Sequence, residues 1–404
     1  MTKPQQIAII GGGAAGFFTA INCAEAMTNC QITIYEQSNK LLSKVKVSGG
    51  GRCNVTHACW TPKELVKFYP RGQKELLGPF HQFCTGDTVA WFADRGVELK
   101  IEEDGRMFPV SNQSQTIIDC FMLQAQKLGV KIVKQHKLIK LQAQDEKWHL
   151  QFNNGVQITA DKVLVAAGSS NTIWAMLQKL GHSIIPPVPS LFTFNIKDDL
   201  LTDLAGISLP NVEVKIVTTK LVESGPFLIT HWGISGPAVL KLSAFGARLL
   251  HEKNYNFTIQ LNLLGFENKD EIANELLQKT SKELIINAVQ YGLPKRLWKR
   301  LVTITKIKPT KNWNDISKKE AHALATNLCA YQMQVKGKST FKEEFVTAGG
   351  IALKEVNMKR FESKLFSNLF FAGEVLNIDA VTGGFNFQAA WTGAYLAAQA
   401  IANN

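Results

Sequence analysis

At 404 residues, 45% hydrophobic and 19% charged, the chain can bury two or three domain-sized cores, and its composition excludes a disordered polypeptide. No run approaches the roughly 18 apolar residues that a bilayer helix needs; the richest, Ala389 to Ala402, is interrupted by Thr392, Gly393 and Gln399. The formal net charge of +12 suits a basic solvated surface that steers anionic ligands.

The first apolar run, Ile7 to Ile10, passes at once into glycines and no cleavage site follows a hydrophobic stretch, so no signal peptide and a cytoplasmic location are expected. Cysteines stand at 23, 30, 53, 59, 84, 120 and 329 with no CxxC and no pairing rhythm. That pattern points to reduced thiols and to no bound metal.

In chain order, Gln6 to Ile10 reads as a buried parallel strand. Gly11 to Gly16 form a turn, Phe17 to Ala26 a helix, and Gln31 to Tyr35 a second strand ending at Glu36. Strand, glycine turn, helix and strand make the βαβ layout of a dinucleotide site. Gln115 to Leu128 predicts a helix and Val130 to Lys134 a strand. Lys140 to Asn153 and Val156 to Ala160 predict an antiparallel pair turning at Asn153-Asn154-Gly155, and Lys162 to Ala167 a buried strand closed by Gly168. Pro186-Pro187-Val188-Pro189 reads as a stiff, extended connector. Beyond it, β-like segments (191–196, 212–218, 225–230, 255–262) precede a helix-rich stretch, Lys269 to Leu328. Rossmann-like features return with Phe345 to Ile351, which carries Ala348-Gly349-Gly350, a short strand Leu369 to Ala372 and a long helix Phe385 to Ile401. The expected fold class is α/β: a Rossmann-like dinucleotide-binding domain from residues 1–190 and 339–404, with an insert at 191–338 that is β-rich over 191–265 and helical over 266–338.

Three motifs carry the chemistry. Gly11, Gly13 and Gly16 satisfy GxGxxG, with Ala14 and Ala15 opening the helix. In that motif the first glycine allows the turn, the second lets a pyrophosphate approach, and the third lets helix and strand pack. Glu36, twenty residues past Gly16, is placed to accept from ribose hydroxyls and disfavours a 2′-phosphate. Ser48, Gly50, Gly51, Arg52, Cys53 and Asn54 belong to a glycine-rich loop whose amides can face the pyrophosphate and ribityl part of a dinucleotide. Gly168, Gly373, Glu374, Asp379, Gly383, Gly384, Asn386 and Phe387 complete the candidate cofactor-binding set, with Glu374 and Asp379 as acceptors for ribityl hydroxyls. The helix start after Gly384 is expected to stabilise negative charge on a reduced flavin ring.

The motifs GGGAAG, SGGGRCNVT, VLVAAGSS, LITHWGISGPAVL and AGEVLNIDAVTGGFNFQAAWTGA together resemble the bacterial FAD-dependent oxidoreductase family once called conserved hypothetical flavoproteins. Its members are described as aminoacetone oxidases and reductases of dehydro bile acids. The resemblance covers nearly the whole chain and implies a discontinuous FAD domain, non-covalent FAD, a small-molecule substrate and hydride transfer through flavin N5. Oxygen or NAD(P)H would be the redox partner, the latter docking transiently because no second GxGxxG follows a clean strand. Ser169-Ser170 departs from the glycines and proline the family often has after Gly168.

Single residues have competing readings. Five residues separate Cys53 from Cys59, where disulfide reductases place four, so a buried loop thiol at Cys53 is favoured over a redox pair. His231, in a loop after a predicted strand, is the candidate proton-transfer group, against a structural role. Lys295, Arg296, Lys299 and Arg300 share a helical face beside Trp298, with Lys306, Lys308 and Lys311 following. That face is read as solvated, not as a nucleic-acid patch, so neither nucleic acid nor membrane is an expected partner. The alternative to an enzyme is a basic flavoprotein that binds RNA or a partner without turnover.

Overall fold

Ile7, Ala8, Ile9 and Ile10 leave no polar face, and such a strand persists only with both sides of its sheet covered. In the computed structural model, which describes residues 3–265, 267–339 and 346–403, this strand is β1 (Gln5–Ile10). It leads through a glycine turn into α1 (Ala14–Ala26) and then β2 (Cys30–Tyr35). Downstream come α2 (Ser43–Gly51), β3 (Thr56–His57), β4 (Lys131–Val133), β5 (Lys162–Val165), α3 (Asn171–Lys179), β6 (Leu369–Phe371) and α4 (Phe385–Ala402). The described residues form a seven-stranded sheet in the order Val356–Asn357, Glu362–Ser363, β6, β5, β1, β2, β4. The run from β6 to β4 is parallel, which confirms the α/β Rossmann-like class.

The chain divides into two compact units, residues 1–188 with 342–404 and residues 189–341. In the first unit, α1 and α4 lie together, their small residues allowing close approach. Thr19 Oγ1 donates to the Ala394 carbonyl and Phe18 lies 5.2 Å from Trp391. The sheet thus draws strands from both ends of the chain into one core.

The second unit is a closed six-stranded barrel in the order 193–196, 233–235, 222–230, 208–216, 256–262, 331–339. Phe194, Val212, Val214, Ile229, Ile259, Leu261, Met333 and Val335 belong to its core. The expected division into a β half and a helical half needs correction. Helices Pro237–Phe245 and Ala247–Glu252 fall in the first half, and strand Tyr331–Ser339 in the second. That last strand pairs with both Thr193–Ile196 and Asn256–Asn262. Only a strand from the far end of the insert removes the two open edges.

Two other local expectations change. Lys140 to Asn153 is two strands, Leu138–Gln144 and Lys147–Phe152, joined at Asp145 and Glu146 with φ of 51° and 58°. That hairpin uses left-handed residues without the glycine that announces one. The prolines at 186, 187 and 189 lie within a strand, Ile184–Ser190, that pairs with Val346–Ile351. A two-stranded sheet leaves each strand an open edge, where a missing N–H costs no ladder bond. Phe345 lies outside the described residues. No helix among the described residues is long and apolar enough to cross a membrane.

Candidate functional site

The glycines of the first turn divide by what surrounds them. A Cβ on Gly11 (φ 115°) would lie 2.4 Å from the Ala166 carbonyl oxygen, and one on Gly16 would lie 2.0 Å from that of Gly11. Both are demanded by protein packing. A Cβ on Gly13 would meet nothing within 4 Å. Its bareness opens space at the amino end of α1, where neither a side-chain cap nor an acid occupies the first turn. The unpartnered first-turn N–H groups and the dipole make that space an anion site.

Beside it lies a small cleft of about 40 Å³, lined by Gly11, Glu36, Lys137, Ala167, Ser170 and Thr172 among others. It sits outside the carboxyl ends of β1, β2 and β5, where the strand order reverses. Glu36 holds its position by accepting from Gly12 N–H (2.9 Å) and Ser38 N–H (2.8 Å), one on each oxygen. A carboxylate has about four acceptor positions, so capacity for hydroxyls remains. Ser170, at the departure from the family pattern, accepts from Ile173 N–H and caps α3.

The second motif is a broken helix. Ser48 is extended and Gly49 and Gly50 are left-handed within α2. Cβ atoms on Gly50 and Gly51 would meet nothing within 4 Å, a second open cradle. Asn54 closes it. With its amide oxygen turned to Gly384 N–H (3.0 Å), its nitrogen donates to Thr56 and Met107 carbonyls. A Cβ on Gly384 (φ 91°) would lie 2.6 Å from Thr56 backbone atoms. The SGGGRCNVT and TGGFN segments therefore interlock, through the Asn54 amide and the Thr56 main chain.

The carboxy-terminal motif meets the first turn as well. A Cβ on Gly373 (φ 75°) would lie 3.3 Å from the Ala15 Cβ, and one on Gly168 would lie 3.8 Å from Glu374 Oε2. Glu374 pairs with Lys44 of α2. Gly383 packs on Phe385 and His57. Phe387 stacks on Trp391 at 5.4 Å and is half-buried.

Four expected cofactor contacts have other partners. Asp379 is fully buried, with both oxygens held by Arg71, so it faces the ion pair and not open space. Arg52 donates to Glu102 at 2.5 Å and lies over the Phe108 ring. Asn386 both donates to and accepts from the Ala380 backbone, clamping the loop before α4. Cys53 is buried, and burial pushes its thiol up to about 12, which makes it inert. Cys53 and Cys59 are both free thiols.

Several residues that set the site escaped the sequence reading. Gln388 accepts from Thr56 (2.6 Å) and Thr88 (3.0 Å) hydroxyls and donates to Thr392. The buried Tyr69 hydroxyl donates to the Phe385 carbonyl at 2.6 Å. His57, Phe68 and Phe385 stack, with Phe385 4.6 Å from His57 and 4.2 Å from Phe68. A polar Gln388 inside an apolar helix was the one readable signal. In the second unit, His231 is exposed at the turn between strands Val222–Thr230 and Gly233–Ser235. Trp298 is fully buried and donates to the Ile285 carbonyl, so it offers no stacking surface. No group of ligands suited to a metal ion occurs among the described residues.

The chain is similar to proteins of four different names. It is 29% identical to a ribosomal RNA dihydrouridine synthase of Haemophilus influenzae, covering 99% of each chain. It is 27% identical to the protein of the same name in Escherichia coli K12, covering 97% and 96%. A 3-dehydro-bile acid delta(4,6)-reductase of Clostridium scindens is 25% identical, covering 98% and 99%. Among solved structures, a 3-ketosteroid delta1-dehydrogenase of Sterolibacterium denitrificans superposes with a TM-score of 0.52 at 11% identity, covering both chains fully. A flavocytochrome c3 fumarate reductase superposes at 0.50 and 14%, covering all of this chain and 78% of that one. The family model described as HI0933-like protein Rossmann domain matches residues 5–400, and the chain belongs to that family.

Proposed function

We propose that this chain is an FAD-dependent oxidoreductase that reduces a carbon–carbon double bond conjugated to a carbonyl, and that its substrate is a uracil base of ribosomal RNA. The observation that carries the reading is the pair of open glycine cradles, at Gly13 and at Gly50–Gly51, the second tied through Asn54 to Gly384 at the start of α4. They suit an extended anionic dinucleotide. Glu36 would take the ribose hydroxyls of its adenosine end, the amino end of α1 its pyrophosphate, and the first turn of α4 its ring end. Glu374, held by Lys44, is the remaining acceptor for ribityl hydroxyls.

The relatives' names supply the reaction class. Dihydrouridine synthesis saturates a uracil double bond conjugated to a ring carbonyl, and a reductase acting on unsaturated 3-dehydro bile acids meets the same arrangement. When bound, the flavin would supply the hydride for the carbon β to the carbonyl, with solvent as the source of the proton for the α carbon. The chain's part is to hold the ring end against the amino end of α4, whose N–H groups favour negative charge there. Uracil in RNA is favoured over a steroid because the dihydrouridine synthases match at the higher identities and the chain carries +12.

Purified protein should be yellow, should bleach anaerobically with NADH or NADPH, and should then add two hydrogens to uridine in ribosomal RNA, read by mass spectrometry of the digested nucleosides. Reduction of a 4-en-3-one steroid with RNA left unchanged would replace the substrate but keep the reaction. Flavin that no nicotinamide reduces, in a protein that still holds RNA, would support the binding protein without turnover.

A further inference from the structure

The segment from Leu284 to Asn314 contains no acid, while Lys295, Arg296, Lys299, Arg300, Lys306, Lys308 and Lys311 all fall within it. Its helix, Lys295–Ile304, buries Leu297, Trp298, Leu301 and Val302 and turns the cations outward. Two features make this more than an ordinary solvated face. Lys295 and Arg296 occupy the first turn, where the helix dipole already presents positive charge, and no acid offsets them. Lys295 with Lys299, and Arg296 with Arg300, are like-charge pairs one turn apart, which weaken an isolated helix. The arrangement opposes the helix that carries it, and an external polyanion relieves it.

The arginines have fixed places. Arg296 donates to the Asp203 carbonyl and Arg300 to that of Asp199 (2.8 Å), pinning the loop before strand Ser208–Ile216. The Asp203 carboxylate approaches Arg300 only to 3.9 Å. Lys311 is taken by Glu320. Lys295, Lys299, Lys306 and Lys308 are exposed, and none has a carboxylate within 4.0 Å among the described residues. With Trp298 buried, the patch has cations without a stacking ring, which suits phosphate contact and not base readout.

We infer that this basic face of the second unit is a docking surface for the phosphate backbone of RNA. It positions the polymer without reading its sequence. The inference rests on the ribosomal RNA reading above for its occupant.

The test compares wild-type protein with Lys295→Glu/Lys299→Glu/Lys306→Glu/Lys308→Glu, and with a control of equal charge change on the first unit, Lys127→Glu/Lys131→Glu/Lys134→Glu/Lys140→Glu. Binding to protein-free ribosomal RNA is measured across a salt series, alongside flavin content, nicotinamide bleaching and dihydrouridine formation. The expected result is at least about a tenfold weaker affinity for the first variant, a log–log salt slope shallower by about 3, and unchanged flavin content and bleaching. The control should bind like wild type. Equal binding by wild type and the first variant overturns the inference, as does equal weakening in both variants. So does wild-type protein that binds anionic phospholipid vesicles but not RNA. RNA binding that depends on these lysines without dihydrouridine formation keeps the docking surface and refutes the reductase reading instead.

Discussion

Gly13 and Gly16 stand three residues apart in one motif, yet they answer to different demands. Gly16→Ala puts a methyl 2.0 Å from the Gly11 oxygen and should cost on the order of 2–4 kcal/mol, read by urea unfolding. At position 13 an added Cβ meets no protein atom within 4 Å and φ is an ordinary −95°, so in Gly13→Ala apo-protein stability should stay within about 0.5 kcal/mol while flavin content falls. A Gly13→Ala protein that keeps its full flavin content would remove the anion site from α1. His182 shows a second residue-scale effect. It is buried against Ser363 and Glu355, and burial holds its imidazole below the usual 6.5 despite Glu355. The neutral ring is the folded form, so its contribution is complete above 6.5 and declines as pH falls below it. Burial works to raise Glu355, but hydrogen bonds from Ser183 and His182 outweigh it and hold the carboxyl below 4.5. Its contribution is lost only below 4.5. Unfolding free energy should therefore fall in two stages on acidification, and His182→Gln should abolish the upper one.

At the scale of elements, the site is made by segments gripping one another before any ligand arrives. Arg71 and Asp379 tie the loop before helix Gln73–Phe80 to the segment that leads into α4. Asp379→Asn leaves the half-buried Arg71 guanidinium without this countercharge and should cost about 2–3 kcal/mol in chemical denaturation. Adding FAD to apo-protein should slow amide hydrogen exchange at 11–16, 48–54 and 383–387 together. Protection confined to one of the three would separate the cradles. GxGxxG and the acid after β2 were readable because their spacing is set by local geometry alone. Arg71 and Lys44 were not, and Gln388 showed only as a polar residue in an apolar helix with its partners hidden, because each acts on a residue more than 300 positions away.

For the whole molecule, stability should depend on its ligand. Free FAD at a hundred times its Kd adds about 2.7 kcal/mol to a fold that alone binds it, visible as a rise in unfolding midpoint. No rise would mean that the unfolded chain binds FAD as well or that no site exists. The basic face makes a separate demand at this scale, since long-range attraction of a polyanion weakens as salt shortens the Debye length.

Residue order alone determined the βαβ start, the buried strands and the long terminal helix, because hydrophobic period, glycine turns and helix length act between neighbours. It also carried the family resemblance through motifs that need no coordinates. Tertiary structure alone decided that strand Tyr331–Ser339 closes the barrel, that Asp379 belongs to Arg71, and that Gly384 lies on Thr56. Those outcomes depend on which distant segments share a surface, and pairwise contact across hundreds of residues leaves no periodic trace in the chain.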